Sequence, residues 1–332
     1  MWAFKPTEAL TPLTTFGDHN HDVIVYFRVF KSGSTTIISA LKPRLKTKNK
    51  STYIRERQPV FTESLDGSLS FNKSSSAGVG WEALRKSSPG DIWLFGHTHT
   101  WDGADLRKFL APVPAARVAY VTMFREPSDW LRSVYNHFND KEKKIPFTKW
   151  LLNDGKRPKS LSAGLDNLDG AYLRMLPEAL SRPFRYGVRA FRFGGPNGTP
   201  LSDPPAETTR ALALKMFAEA IDYEAVECHL RGNILTLISE YHNLSMGLLG
   251  FALTGDVGGI MLDKEMGGES RAGHLHPSRT PPYFMGNQTA GEMMRDISRF
   301  APVISPFEAV YGIAVKVFKG QVQEAKQAGA RF

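Results

Sequence analysis

Two stretches of the chain are continuously apolar and rich in β-branched and aromatic residues, Val23–Val29 and Arg117–Phe124. A shorter one covers Ile92–Phe95. Runs of this length without alternation read as strands buried on both faces, the habit of a parallel sheet. Each is followed by a polar turn and then by helical periodicity. Ile37–Leu41 begins a helix that Pro43 ends. After Ser128, read as an N-cap, Trp130, Leu131, Val134, Tyr135 and Phe138 fall on one helical face. Farther along, Ala171–Leu180 and Thr208–Ala220 read as helices, Glu224–His229 as a strand and Ile234–His242 as a helix. Thr289–Phe300 and Pro306–Gly320 read as two closing helices. Residues 44–80 read as polar loop with one strand near Pro59–Thr62. Residues 153–205 and 255–285 are loop-rich, and 1–20 form an N-terminal extension. Strands alternating with helices predict one α/β domain over 1–332, with a central parallel sheet flanked by helices.

Composition adds a bias of charge. Lys and Arg number 42 against 33 Asp and Glu, a net charge of +9. Residues 1–60 alone hold ten Lys or Arg and four Asp or Glu. Such a surplus points to an anionic partner. The single cysteine, Cys228, rules out an intrachain disulfide and a cysteine-based zinc site. The longest apolar runs fall short of the ~18–20 residues of a spanning helix, so no membrane span is expected. The N-terminus lacks the pattern of a signal peptide.

Two turns carry candidate chemistry. The first, Phe30-Lys31-Ser32-Gly33-Ser34-Thr35-Thr36, lies between a strand and a helix. Backbone N–H groups at a helix start, hydroxyls and a lysine suit a phosphate. The turn is no Walker A loop, because Lys31 precedes its glycine and none lies upstream at the required distance. The second is Arg125-Glu126-Pro127, at the carboxyl end of a strand, where open α/β sheets bind ligands. An arginine there can grip a phosphate bidentately.

Together these residues resemble sulfotransferases that use 3′-phosphoadenosine 5′-phosphosulfate (PAPS). Phe30–Thr35 is similar to their 5′-phosphosulfate loop, P-K-T-[GA]-[ST]-[TS], with Phe in place of Pro. Arg125-Glu126-Pro127, with Ser133 eight residues after the arginine, matches their 3′-phosphate motif. Pro89-Gly90-Asp91-Ile92-Trp93-Leu94-Phe95-Gly96-His97 resembles the P-G…H-G-H segment of the uronyl 2-O-sulfotransferases that act on heparan and dermatan chains. His274–Thr280 resembles the basic loop that closes over the nucleotide. The resemblance implies a P-loop-like sulfotransferase fold and sulfuryl transfer from PAPS to a hydroxyl acceptor, without a metal. It places His97 as the base and Lys31 on the bridging oxygen. Lys31, Ser32, Gly33, Ser34, Thr35, Thr36, Arg125, Ser133, Leu275, Ser278 and Arg279 would hold the nucleotide. His99 would meet the acceptor, an anionic glycan or a small metabolite; the charge of the basic run, not the resemblance, adds Lys46 and Lys48 as acceptor contacts.

Other readings compete. Gly96-His97-Thr98-His99 also resembles the metal-binding G-H-[TS]-H of calcineurin-like phosphoesterases, though that family's upstream motifs are missing. The basic run from Lys42 to Arg57 could bind nucleic acid, but no nucleic-acid motif accompanies it and none is expected as a partner. The lone cysteine suits a cytoplasmic enzyme. The resemblance is to Golgi enzymes, so a soluble domain of a longer protein is the other expectation.

Overall fold

The computed structural model describes residues 23–27, 29, 31–33, 36–38, 40–41, 51–55, 61–63, 69–71, 92–96, 118–139, 147–152, 215–260 and 290–332, with short pieces between 168 and 212. Its centre is a five-stranded sheet of β1 (Val23–Phe27), β2 (Ser51–Arg55), β5 (Ile92–Gly96), β6 (Val118–Phe124) and β7 (Leu235–Ile238). All pair in parallel, in the order β2-β5-β1-β6-β7. A separate antiparallel pair joins β3 (Phe61–Glu63) to β4 (Leu69–Phe71). The protein is α/β, as its alternating pattern predicts.

The strand order fixes where a ligand can lie. From β1 the chain goes to one edge, β2, returns to β5, then crosses to β6 and continues outward to β7. The loops after β1 and β6, which are neighbours, therefore leave in opposite directions. Such a switch point opens a crevice at the carboxyl ends of the strands.

Helices cover the sheet. They are α1 (Pro127–Asn139), α2 (Phe147–Leu152), α3 (Tyr223–Asn233), α4 (His242–Thr254), α5 (Ala290–Arg299) and α6 (Ala301–Gln327). The buried face of α1 is Trp130, Leu131, Val134 and Tyr135, as the spacing predicts. Tyr135 packs edge-on against Phe147 of α2, with ring centroids 5.0 Å apart. Helix α6 is long and apolar enough by composition to cross a membrane. Its buried stripe packs against α3 and β7. Buried Gln321 of α6 fastens the strand: its Nε2 donates to Ile234 O (2.8 Å) and its Oε1 accepts from Thr236 N (3.0 Å).

Several elements differ from the sequence expectation. Ser51–Arg55 is an edge strand, not loop. Its Thr-Tyr-Ile core favours a strand, and flanking basic residues are common on edges. Glu224–His229 lies in helix α3, which Asp222 caps by accepting from Ala225 N at 2.8 Å. Glu227 and Arg231, at helical spacing, add an ion pair. Residues 234–242 are not a helix. Leu235–Ile238 is a fully buried strand, Ser239–Tyr241 a 3₁₀ turn, and His242 starts α4. The final helix begins at Ala301, so Pro306 sits inside it. Helix α1 starts at Pro127, not after Ser128, and Glu126 occupies the capping position.

Candidate functional site

The crevice begins where β1 ends. After Val29 the chain turns sharply: Ser32 N donates to Val29 O (3.4 Å), and Ser32 Oγ, buried, donates to the same oxygen at 2.7 Å. Lys31 has φ +62°, the one positive φ on a non-glycine among the described residues. That conformation costs an L-residue about 1–2 kcal/mol. Strain of this kind concentrates at ligand sites. Gly33 follows with φ +90°, and a Cβ there would stand 3.1 Å from Met123 Sδ on β6. The Gly33 carbonyl accepts from Thr36 N and Ile37 N at 3.0 and 3.3 Å, opening the helix seen at residues 36–38 and 40–41. The Ser-Gly turn therefore brings the loop against β6 and turns it into a helix start, whose positive dipole end favours an anion.

The other wall follows β6. Arg125 Nη1 donates to the carbonyl of Lys31 at 3.1 Å, spanning the seam between the two loops. Its own carbonyl accepts from the phenol of Tyr172. Tyr172 is buried against Phe124, Trp130 and Phe307, at centroid distances of 5.9, 6.2 and 6.1 Å. Burial, and after it the charges of Glu126 and Glu240, push its pKa well up, with Arg125 opposing. The phenol is thus a fixed neutral donor. Glu126 caps α1: its carboxylate accepts from Ser128 N (3.0 Å) and Asp129 N (2.6 Å), and Pro127 takes the first helical position.

Acid lies on the far side of Arg125. Glu240, just past β7, accepts from Glu126 N through Oε1 (3.1 Å) and from Tyr311 OH through Oε2 (2.9 Å). Burial first, then the bond to Glu240, raises the Tyr311 pKa. Glu308 on α6 is also raised, by burial and then by Glu126, while a hydrogen bond from Ser128 opposes this.

Of the residues singled out in the sequence, Lys31 and Gly33 are half-buried, Ser32 and Thr36 are buried, and Arg125 is half-buried across the seam from Lys31. The half-buried Ser133 lies six residues past Pro127, about 9 Å farther along α1. Ser34, Thr35, His97, His99, Lys46, Lys48, Leu275, Ser278 and Arg279 lie outside the described residues. The strand before His97 is described: Gly96 pairs with Tyr26 and with Arg55. Strand β5 therefore ends at the carboxyl edge, beside β1. Strand β2 opens at Ser51, abreast of Ile92 at the amino edge, and only its last residue, Arg55, reaches the crevice edge. Among the described residues no three His, Cys, Asp or Glu side chains gather for a metal ion. Sequence reasoning missed Tyr172, Glu240 and Tyr311, which hold the Arg125 turn from distant parts of the chain.

Compared with known proteins, the chain matches no family model and no curated protein.

Proposed function

We propose that the protein transfers a sulfuryl group from PAPS to a hydroxyl acceptor, as a member of the sulfotransferase family whose motifs it resembles and with that family's P-loop-like fold. The observation that carries this reading is the bond from Arg125 to the Lys31 carbonyl. It joins the two anion-binding motifs, 94 residues apart in sequence, at the topological switch point. A nucleotide with phosphate groups at both ends needs two such sites at one crevice.

The residues present fit the donor. The helix start after Gly33 and the Lys31 ammonium would take the 5′-phosphosulfate. The remaining N–H donors of the Arg125 fork would take the 3′-phosphate, with Ser133 beyond it. When bound, PAPS supplies the sulfuryl group and a phosphate leaving group. Lys31 would stabilise the charge that develops on the bridging oxygen. His97, which follows Gly96 beside β1, would take the acceptor's proton on an imidazole nitrogen. The acceptor is a carbohydrate on the strength of the Pro89–His97 resemblance, with a small hydroxylated metabolite as the other class.

Calorimetry with the desulfated nucleotide, 3′-phosphoadenosine 5′-phosphate, tests the site. Micromolar binding by the protein, lost in Lys31→Ala and Arg125→Ala, is expected; unchanged affinity in both variants overturns the reading. Transfer of radiolabelled sulfate from PAPS to a panel of glycans and small alcohols then identifies the acceptor. Purified protein carrying stoichiometric zinc, iron or manganese would favour the phosphoesterase reading instead.

A further inference from the structure

We infer that Glu240 is a positioning residue for the Arg125 anion contact, with Tyr311 as its brace; the inference rests on the function proposed above. The pairing of β6 with β7 ends at Phe124 and Ile238. Glu126 and Glu240 each lie two residues past that pair, where the ladder no longer supplies a partner for the Glu126 N–H. The Glu240 carboxylate replaces the lost strand partner, accepting from that N–H at 3.1 Å. Its second oxygen is held by Tyr311 OH at 2.9 Å, which anchors the carboxylate to α6. On the other side of the turn, Tyr172 holds the Arg125 carbonyl. The peptide joining Arg125 to Glu126 is thus fixed at both its C=O and its N–H by side chains. That peptide sets where the guanidinium starts, and so whether it reaches the Lys31 loop.

The charge of Glu240 works against this role, and that makes the inference testable by sign. A carboxylate near an anion site repels the anion, so by Coulomb's law alone its removal should tighten nucleotide binding. Removal of a positioning strut should weaken it. A purely structural role would lower the melting temperature and leave the affinity alone.

The experiment measures affinity for 3′-phosphoadenosine 5′-phosphate by calorimetry, beside melting temperature, in the full chain and in Glu240→Ala, Glu240→Gln and Tyr311→Phe. Glutamine keeps an oxygen that can accept from the Glu126 N–H, and the Tyr311 hydroxyl can turn to accept from its amide. About tenfold weaker binding is expected in Glu240→Ala, recovery to within about threefold of the parent in Glu240→Gln, and about threefold weaker binding in Tyr311→Phe. Equal or tighter binding in Glu240→Ala overturns the inference. If that variant does not fold, Tyr311→Phe decides: weaker binding at unchanged melting temperature supports it, and unchanged binding overturns it. A parent protein that binds no nucleotide overturns the proposed function itself, an outcome distinct from variants that bind like the parent.

Discussion

Thr122 donates its hydroxyl to the carbonyl oxygen of Phe27, 3.1 Å away, where β1 and β6 reach the crevice. Both residues are buried, and the bond closes the seam directly beneath the Lys31 and Arg125 loops. Thr122→Val keeps the shape and removes the donor. It takes one hydrogen bond from a buried carbonyl, a cost of about 0.5–1.5 kcal/mol. Urea unfolding should show that loss, and nucleotide affinity should fall with it, because the two loops are set by the strands below them. Stability equal to the parent's would mean that the seam does not depend on this hydroxyl.

Lys31 offers a trade between stability and function. Its left-handed backbone costs about 1–2 kcal/mol. Glycine would release that strain while adding about 0.5–1 kcal/mol of unfolded-chain entropy. Lys31→Gly should therefore be as stable as the parent or more so, and more stable than Lys31→Ala, which keeps the strain. Both should lose nucleotide affinity. Paired melting curves and calorimetry check this, and an alanine variant more stable than the glycine one would show that the strain at Lys31 is smaller than the entropy that glycine adds.

The legibility of this molecule follows the range of its interactions. The strands β1, β5 and β6 are legible because the inner strands of a parallel sheet are continuous apolar runs. Lys31, Gly33 and Arg125 were readable because turn chemistry is local. Strand β2 was hidden because an edge strand is half polar, and its basic flanks read as loop. From Glu224 to His242 the sequence pattern and the structure are one element out of phase. Short apolar runs do not distinguish strand from buried helix, and it is the Asp222 cap, accepting from Ala225 N, that starts the helix here. Tyr172 and Glu240 carry no local signal, since nothing nearby marks a side chain that satisfies a main-chain group 47 or 114 residues away, and Tyr311 carries none because its partner is the Glu240 carboxylate 71 residues off.

Arg125→Lys is expected to behave as a loss. The guanidinium spends one N–H on the Lys31 carbonyl and still has others for a phosphate. A lysine ammonium is a point charge without the fork, so it cannot serve both at fixed geometry. Nucleotide affinity should drop about 10–100-fold at little cost in melting temperature. Affinity within a factor of two of the parent's would show that charge alone suffices there.

Glu308 gives a pH dependence with a definite sign. Burial, and then the charge of Glu126, raise its carboxyl above the ordinary value of 4.5. The folded state thus favours the protonated form, and that stability is present below 4.5 and lost as pH rises through the raised value. Glu308→Gln removes the loss. Its stability should exceed the parent's at neutral pH and converge with it in acid. Parallel curves across the whole range would show that folding does not raise the Glu308 carboxyl.

The sharpest functional prediction concerns a residue known by its place in the chain. Gly96 stands abreast of Tyr26 at the carboxyl edge of the sheet, and His97 follows it in the sequence. A base serves sulfuryl transfer only in the step where the acceptor loses its proton; it has no part in holding the nucleotide's phosphates. His97→Ala should therefore abolish sulfate transfer from PAPS while leaving the affinity for 3′-phosphoadenosine 5′-phosphate within about threefold of the parent's. That split separates the base from Lys31 and Arg125, whose loss should weaken binding first. Full turnover in His97→Ala would remove the histidine from the mechanism and leave the nucleotide site standing. Loss of nucleotide binding in that variant would move His97 from the acceptor side of the crevice to the donor side.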